Sequence, residues 1–168
     1  LKLVLKSHFL NVTLYTTWRD YKMARGSILE RNSGNGGYLL PVLKISAAKS
    51  LDAIDDSGKV FIVANAGSAY SITLPTTLEV GTQYKLIFED SPNAAVTIAA
   101  GSAIMFGKIG EAEVDTSDDA PGSSGSTGVS NVIFGTTADE GDHLDIVCDG
   151  TKWYFNGMAA VDGAVTTS

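Results

Sequence analysis

The residues with chemical potential are few, and their spacing argues against catalysis. His143 and Cys148 are the nearest histidine–cysteine pair. Their offset of five positions puts them on opposite faces of a strand, which excludes a local thiolate–imidazole nucleophile. Cys148 shares its face with Leu144 and Ile146 and reads as a small core hydrophobe. Asp115, Ser117 and Asp119 alternate like the first oxygen ligands of a calcium loop. However, Ala120 stands where the turn glycine belongs, and Ser126 where the bidentate glutamate belongs. The acids offer no spacing that singles out a glycosidase pair. No G-x-S-x-G elbow, Walker loop or H-E-x-x-H motif occurs, and Gly122-Ser-Ser-Gly-Ser has no strand before it and no helix after it. One cysteine permits neither an internal disulfide nor a cysteine-rich zinc site. The expectation is a chain with no catalytic residue, no cofactor and no metal ligand.

Trp153-Tyr154-Phe155 invites a carbohydrate reading, because exposed aromatic rings stack on sugar faces. On one strand, though, Trp153 and Phe155 share a face and Tyr154 opposes them, which predicts a core pair plus one half-exposed ring.

The elements that carry these residues follow a period of two. Lys59 to Asn65 (KVFIVAN) has the length of a buried strand. Tyr70, Ile72 and Leu74 alternate with Ser71 and Thr73 until Pro75, and Tyr84, Leu86 and Phe88 alternate with Lys85, Ile87 and Glu89. Val96 and Ile98 repeat the pattern, as do Leu144, Ile146 and Cys148, then Trp153 and Phe155. Turn signals separate these runs at Asn65-Ala-Gly, Pro75-Thr-Thr, Glu79-Val-Gly, Ser91-Pro-Asn, Glu140-Gly-Asp and Asp149-Gly. Short strands punctuated in this way predict an all-β fold, an antiparallel β-sandwich or barrel of jelly-roll-like form. Asp149-Gly150 predicts a hairpin with a two-residue type I′ turn. The one helical candidate lies in Ile45 to Asp56, where Ser50 to Asp56 suits a single turn.

The chain has 168 residues, 44% of them hydrophobic and 18% charged, enough for one domain with a real core. Domain organisation divides it into an N-terminal arm and hinge over 1–43 and a β-sandwich body over 44–168, with an exposed acidic and Gly/Ser-rich loop at 111–128. The hinge is Asn32-Ser-Gly-Asn-Gly-Gly. Lys2, Lys6, Asn11 and Thr13 interrupt the apolar start, so no run approaches the ~20 residues of a membrane span. Residues 1–22 carry no clean signal-peptide pattern, and Met23-Ala-Arg-Gly-Ser resembles a natural chain start, so an upstream origin is expected for them.

Charge is uneven. Leu1 to Arg31 carries a balance of +4, the rest carries −11, and the whole chain carries −7. The acidic body should repel nucleic acid and anionic membrane. The basic arm suits an acidic protein surface, with Leu1, Leu3, Leu5, Arg19, Arg25, Arg31 and Tyr38 as its candidate contact residues.

Five stretches occur in a fixed order: Asp56-Ser-Gly-Lys-Val-Phe-Ile-Val; Tyr70-Ser-Ile-Thr-Leu-Pro; Val80-Gly-Thr-Gln-Tyr-Lys-Leu-Ile-Phe; Val96-Thr-Ile-Ala-Ala-Gly-Ser-Ala-Ile-Met-Phe-Gly; and Gly141-Asp-His-Leu-Asp-Ile-Val-Cys-Asp-Gly-Thr-Lys-Trp-Tyr-Phe-Asn-Gly. Over about residues 48 to 168 this order resembles the capsid decoration (cement) proteins of tailed bacteriophages and related small fibre modules. The resemblance implies a β-rich protomer, commonly a homotrimer, on the outer surface of the capsid. Its partners would be the major capsid protein and its own sister copies, with no nucleic acid or membrane partner, and no catalytic residue carries over. The alternative that the resemblance leaves open is a fibre or receptor-binding module recognising a host surface glycan.

Overall fold

The computed structural model describes residues 41–65, 67–112 and 127–168. Every regular element among them is a strand: β1 Val42–Ile45, β2 Lys49–Ser50, β3 Lys59–Val63, β4 Tyr70–Thr73, β5 Gln83–Phe88, β6 Val96–Ala99, β7 Met105–Glu111, β8 Asn131–Phe134, β9 His143–Cys148, β10 Trp153–Ala159 and β11 Val165–Thr167. They form a six-stranded sheet in the order β1-β3-β5-β9-β10-β7 and a five-stranded sheet in the order β11-β8-β6-β4-β2. The all-β sandwich expected from the sequence is what the chain forms.

The strand pairing departs from the antiparallel, jelly-roll-like expectation. β1-β3, β3-β5, β2-β4, β4-β6 and β7-β10 are parallel, whereas β5-β9, β9-β10, β6-β8 and β8-β11 are antiparallel. The physical reason lies in the connections. After β1, β3 and β5 the chain crosses to the other sheet rather than turning back on itself, so β1/β2, β3/β4 and β5/β6 stack as three rungs of a parallel coil. Backbone bonds continue the stacking through the crossings, from Ala64 N–H to the Ile45 carbonyl, Leu51 N–H to Thr73, and Leu74 N–H to Ala99. β9 in one sheet and β8 in the other then close the third rung with antiparallel ladders.

The alternating residues fill the space between the sheets. Phe61, Val63, Ile72, Leu74, Leu86, Phe88, Ile98, Val132, Phe134, Leu144 and Trp153 are all essentially inaccessible to water. Phe61, Tyr84 and Trp153 form a chain of tilted rings, with centroids 6.3 Å and 5.9 Å apart. Burial, then the Asp56 and Asp52 charges, push the Tyr84 phenol far above its ordinary pKa. Its hydroxyl donates to the Asp52 carbonyl at 2.9 Å. Burial, helped by Glu89, pushes Tyr70 up to about 12 while its hydroxyl donates to the Ala64 carbonyl at 2.8 Å.

One local expectation holds and one changes. The segment Ser50 to Asp56 makes one turn, from Asp56 N–H to the Asp52 carbonyl, and does not extend into a helix. The β9–β10 hairpin is present, but its central residues are Gly150 and Thr151 rather than Asp149 and Gly150. Cys148 pairs with Trp153, and Asp149 N–H bonds to the Lys152 carbonyl, which places both flanking residues in the ladder. Gly150 has φ 94° and no non-glycine residue among the described residues has positive φ, whereas a type I′ turn needs it at both central positions.

Candidate binding surfaces

The first rung lies at the edge of both sheets, β1 in one and β2 in the other. It begins at Val42, inside the segment assigned from sequence to the arm and hinge, and residues from Leu40 onward form one compact unit. In the parallel ladder the carbonyls of Pro41 and Ile45 accept from Val60 and Ala64 on the β3 side. By alternation the backbone N–H and C=O of Val42 and Lys44 point away from the sheet. Val42 is 61% exposed and Leu43 40% exposed, unusual values for branched apolar side chains on a strand. Lys44 pairs with Glu89, so the cation that would otherwise guard this edge is engaged on the sheet face.

The rung is held firmly in place. The Asp56 carboxylate bridges Lys49 on β2 at 3.1 Å and Lys59 on β3 at 3.0 Å, and it also accepts the Asp52 N–H at 3.1 Å. Burial raises the Asp56 pKa, but the Lys59 ammonium, the Asp52 N–H and Lys49 outweigh it, leaving the carboxyl below its ordinary value. The open edge is therefore a formed strand rather than a frayed end.

The outward face of the six-stranded sheet is the second surface. Register aligns Gln83, Val147, Tyr154 and Phe106 in one row, and Val60, Lys85, Asp145, Asn156 and Lys108 in the next. Lys85 and Asp145, directly opposite each other, pair at 3.0 Å. A shallow depression of about 390 Å³ lies over this region. Tyr154 is 43% exposed and Met158 49% exposed on the same face. Trp153 and Phe155 are buried beneath it, as the alternation predicted.

Cys148 is buried in the core, with His143 half-buried on the opposite face of β9. Among the described residues no group of three His, Cys, Asp or Glu side chains is gathered to hold a metal ion. Leu1, Leu3, Leu5, Arg19, Arg25, Arg31 and Tyr38 lie outside the described residues, as does 113–126 of the acidic loop. Val129 bridges back to Met105 just after that loop.

The sequence analysis did not single out Val42, Lys44, Gln83 or Asn156. The signal for the edge was present in Pro41, which often precedes a strand whose outer side is unpaired. Gln83 and Asn156 carry no local signal, because only the pairing of β5, β9 and β10 brings them together.

Neither the scan against protein-family models nor the search of curated proteins found a match to this chain.

Proposed function

We propose that this chain is a virion structural protein: a capsid decoration protein that binds the outside of a tailed-phage head and ties neighbouring major capsid protein subunits together. The observation that supports this reading is the open first rung of the coil, where the backbone groups of Val42 and Lys44 point away from β3 and have no ladder partner among the described residues, beside the exposed Val42 and Leu43 side chains. A coil of stacked rungs needs something at its end, because each rung buries its neighbour's edge. A strand from a sister copy or from the shell would complete it by β-augmentation. Docking of this kind needs area and matched backbone groups rather than chemistry. A clamp that binds only the closed shell stabilises it by mass action. The basic N-terminal segment, which precedes this edge in the sequence, carries charge of the sign that an acidic partner surface attracts. A homotrimer built on this rung is the assembly proposed.

Protein counting in purified particles tests the reading. Copies comparable in number with the shell subunits, together with heads that resist heat better when decorated than when stripped, are expected. Absence from the particle, or copies confined to a tail or fibre position, would overturn it.

A further inference from the structure

We infer that the depression on the outward face of the six-stranded sheet is a binding site for a neutral saccharide, built on Gln83, Val147, Tyr154, Asp145 and Asn156. The inference goes beyond the docking role proposed above and does not depend on it.

The site is built on strands, not on loops. Gln83, Val147 and Tyr154 stand side by side on β5, β9 and β10, and Lys85, Asp145 and Asn156 form the adjacent row. Three strands span about 10 Å and two same-face rows lie about 7 Å apart, which is the footprint of one or two pyranose rings. The depression of about 390 Å³ falls at the small end of the range for ligand pockets.

The chemistry of the lining is mixed in the way a sugar requires. Tyr154 and Val147, 43% and 44% exposed, offer an aromatic ring and an aliphatic surface to the C–H face of a pyranose. Tyr154 is held in place from two sides. Its hydroxyl sits beside the Asp149 carboxylate, and its ring lies 6.4 Å from that of Phe106, which Lys152 covers at 4.6 Å. The side-chain amides of Gln83 and Asn156 are exposed and make no hydrogen bond within the described structure, so each offers two N–H donors and a carbonyl acceptor to hydroxyl groups. Asp145 holds Lys85 through both carboxylate oxygens, at 3.0 and 3.2 Å, and retains acceptor capacity for a diol.

Local charge selects against an anion. The cations that line the depression, Lys59 and Lys85, are already engaged by Asp56 and Asp145, Lys108 stands at its margin in register with Asn156, and the chain as a whole carries −7. Phosphate or sulfate would gain no unengaged cation from the lining itself and would meet the field of a net-negative chain. Because the backbone of a formed sheet has nothing left to order on binding, only side-chain ordering at Gln83 and Asn156 is a conformational cost.

The test is a ¹⁵N–¹H NMR titration of the full chain with maltotriose, cellotriose, mannotriose, galactotriose and tri-N-acetylchitotriose, with inorganic phosphate as the anionic control. At least one trisaccharide is expected to shift the side-chain amide signals of Gln83 and Asn156, with a Kd of about 1 mM or tighter. Phosphate is expected to leave them unmoved. Tyr154→Ala and Asn156→Ala should each weaken binding about tenfold or more in chains that still unfold cooperatively, with Asn156→Ala leaving the melting temperature nearly unchanged because its side chain is exposed. No shift with any of the five sugars would overturn the inference, and so would equal binding by Tyr154→Ala or a phosphate response at the same amides. Binding to phage heads is a separate measurement, so loss of sugar binding leaves the docking reading untouched, and the reverse also holds.

Discussion

The rings of Phe88, on β5, and Phe134, on β8, stack across the gap between the two sheets with centroids 4.3 Å apart and planes inclined at 27°. Phe88 ends the six-stranded sheet's contribution to the third rung, and Phe134 belongs to the strand that closes that rung in the other sheet. The pair therefore fastens the parallel coil to its antiparallel cap. Both side chains are essentially fully buried. Phe134→Ala should cost about 3–5 kcal/mol, through lost transfer energy and the cavity left behind. Phe134→Leu should cost less while still losing the aromatic contact, about 0.5–1.5 kcal/mol of the total. Chemical denaturation of both variants measures the difference.

Gly107, on β7, sits against β10 so closely that a Cβ there would run into the Phe155 carbonyl oxygen. The contact is with backbone, which cannot swing aside as the end of a long side chain can. Gly107→Ala should therefore destabilise the chain by about 3 kcal/mol, near the upper end for an overpacked site. Gly110→Ala on the same strand, with only a distant contact at 3.9 Å, should be far milder. Comparing their melting temperatures checks the register of β7 against β10.

Asp149 governs the hairpin's response to acid. Its carboxylate accepts the Thr151 N–H at 2.7 Å, the Thr151 hydroxyl at 2.8 Å and the Lys152 N–H at 2.8 Å, and these bonds lower its pKa to about 2. A carboxyl whose folded pKa is depressed contributes stability that is present above its unfolded value, near 3.8, and is lost as pH falls toward 2. NMR titration of the Asp149 carboxyl should give a midpoint well below that of an ordinary aspartate. Asp149→Asn should flatten the acid limb of the stability profile in that window, and an unchanged acid limb would count against the hydrogen-bond assignment.

Cys148 is sealed between the sheets. Its thiol should react with a water-soluble disulfide reagent only when the chain unfolds, so labelling in the native state should track global opening. Rapid stoichiometric labelling of the folded protein would contradict the register of β9.

The inward faces were legible because alternation survives whatever the partner strand does. Tyr70, Ile72 and Leu74, then Tyr84, Leu86 and Phe88, then Leu144, Ile146 and Cys148 all lie buried. Parallel pairing was not legible, since period two is common to both ladder types and only the path of the connection separates them. Asn65-Ala-Gly illustrates the difficulty. It marks a genuine turn, with Gly67 at φ 69° and the Asn65 side chain accepting the Gly67 N–H. Yet the turn carries the chain across to β4 in the opposite sheet rather than back along β3. The rungs also escape a search for repeats, because Val42, Val60 and Lys85 align in space while the stretches separating them differ in length. The hairpin at Asp149-Gly150 was located correctly and displaced by one residue, because Asp149 serves as the acceptor that organises the turn instead of occupying its centre.

The saccharide face was half legible. Tyr154 was marked as a half-exposed ring by its place between Trp153 and Phe155. The amides beside it were hidden, since Gln83 and Asn156 come from strands far apart in the chain.

Hydrogen exchange at the backbone amides of Val42 and Lys44, compared between the free chain and the chain bound to phage heads, tests the docking account most directly. In the free chain both amides should exchange fast, because they face away from β3. On the head they should become strongly protected, while the Leu43 amide, directed toward β3, should change little. Equally fast exchange at Val42 and Lys44 in both states would mean that no strand is added at this edge, and would contradict the account.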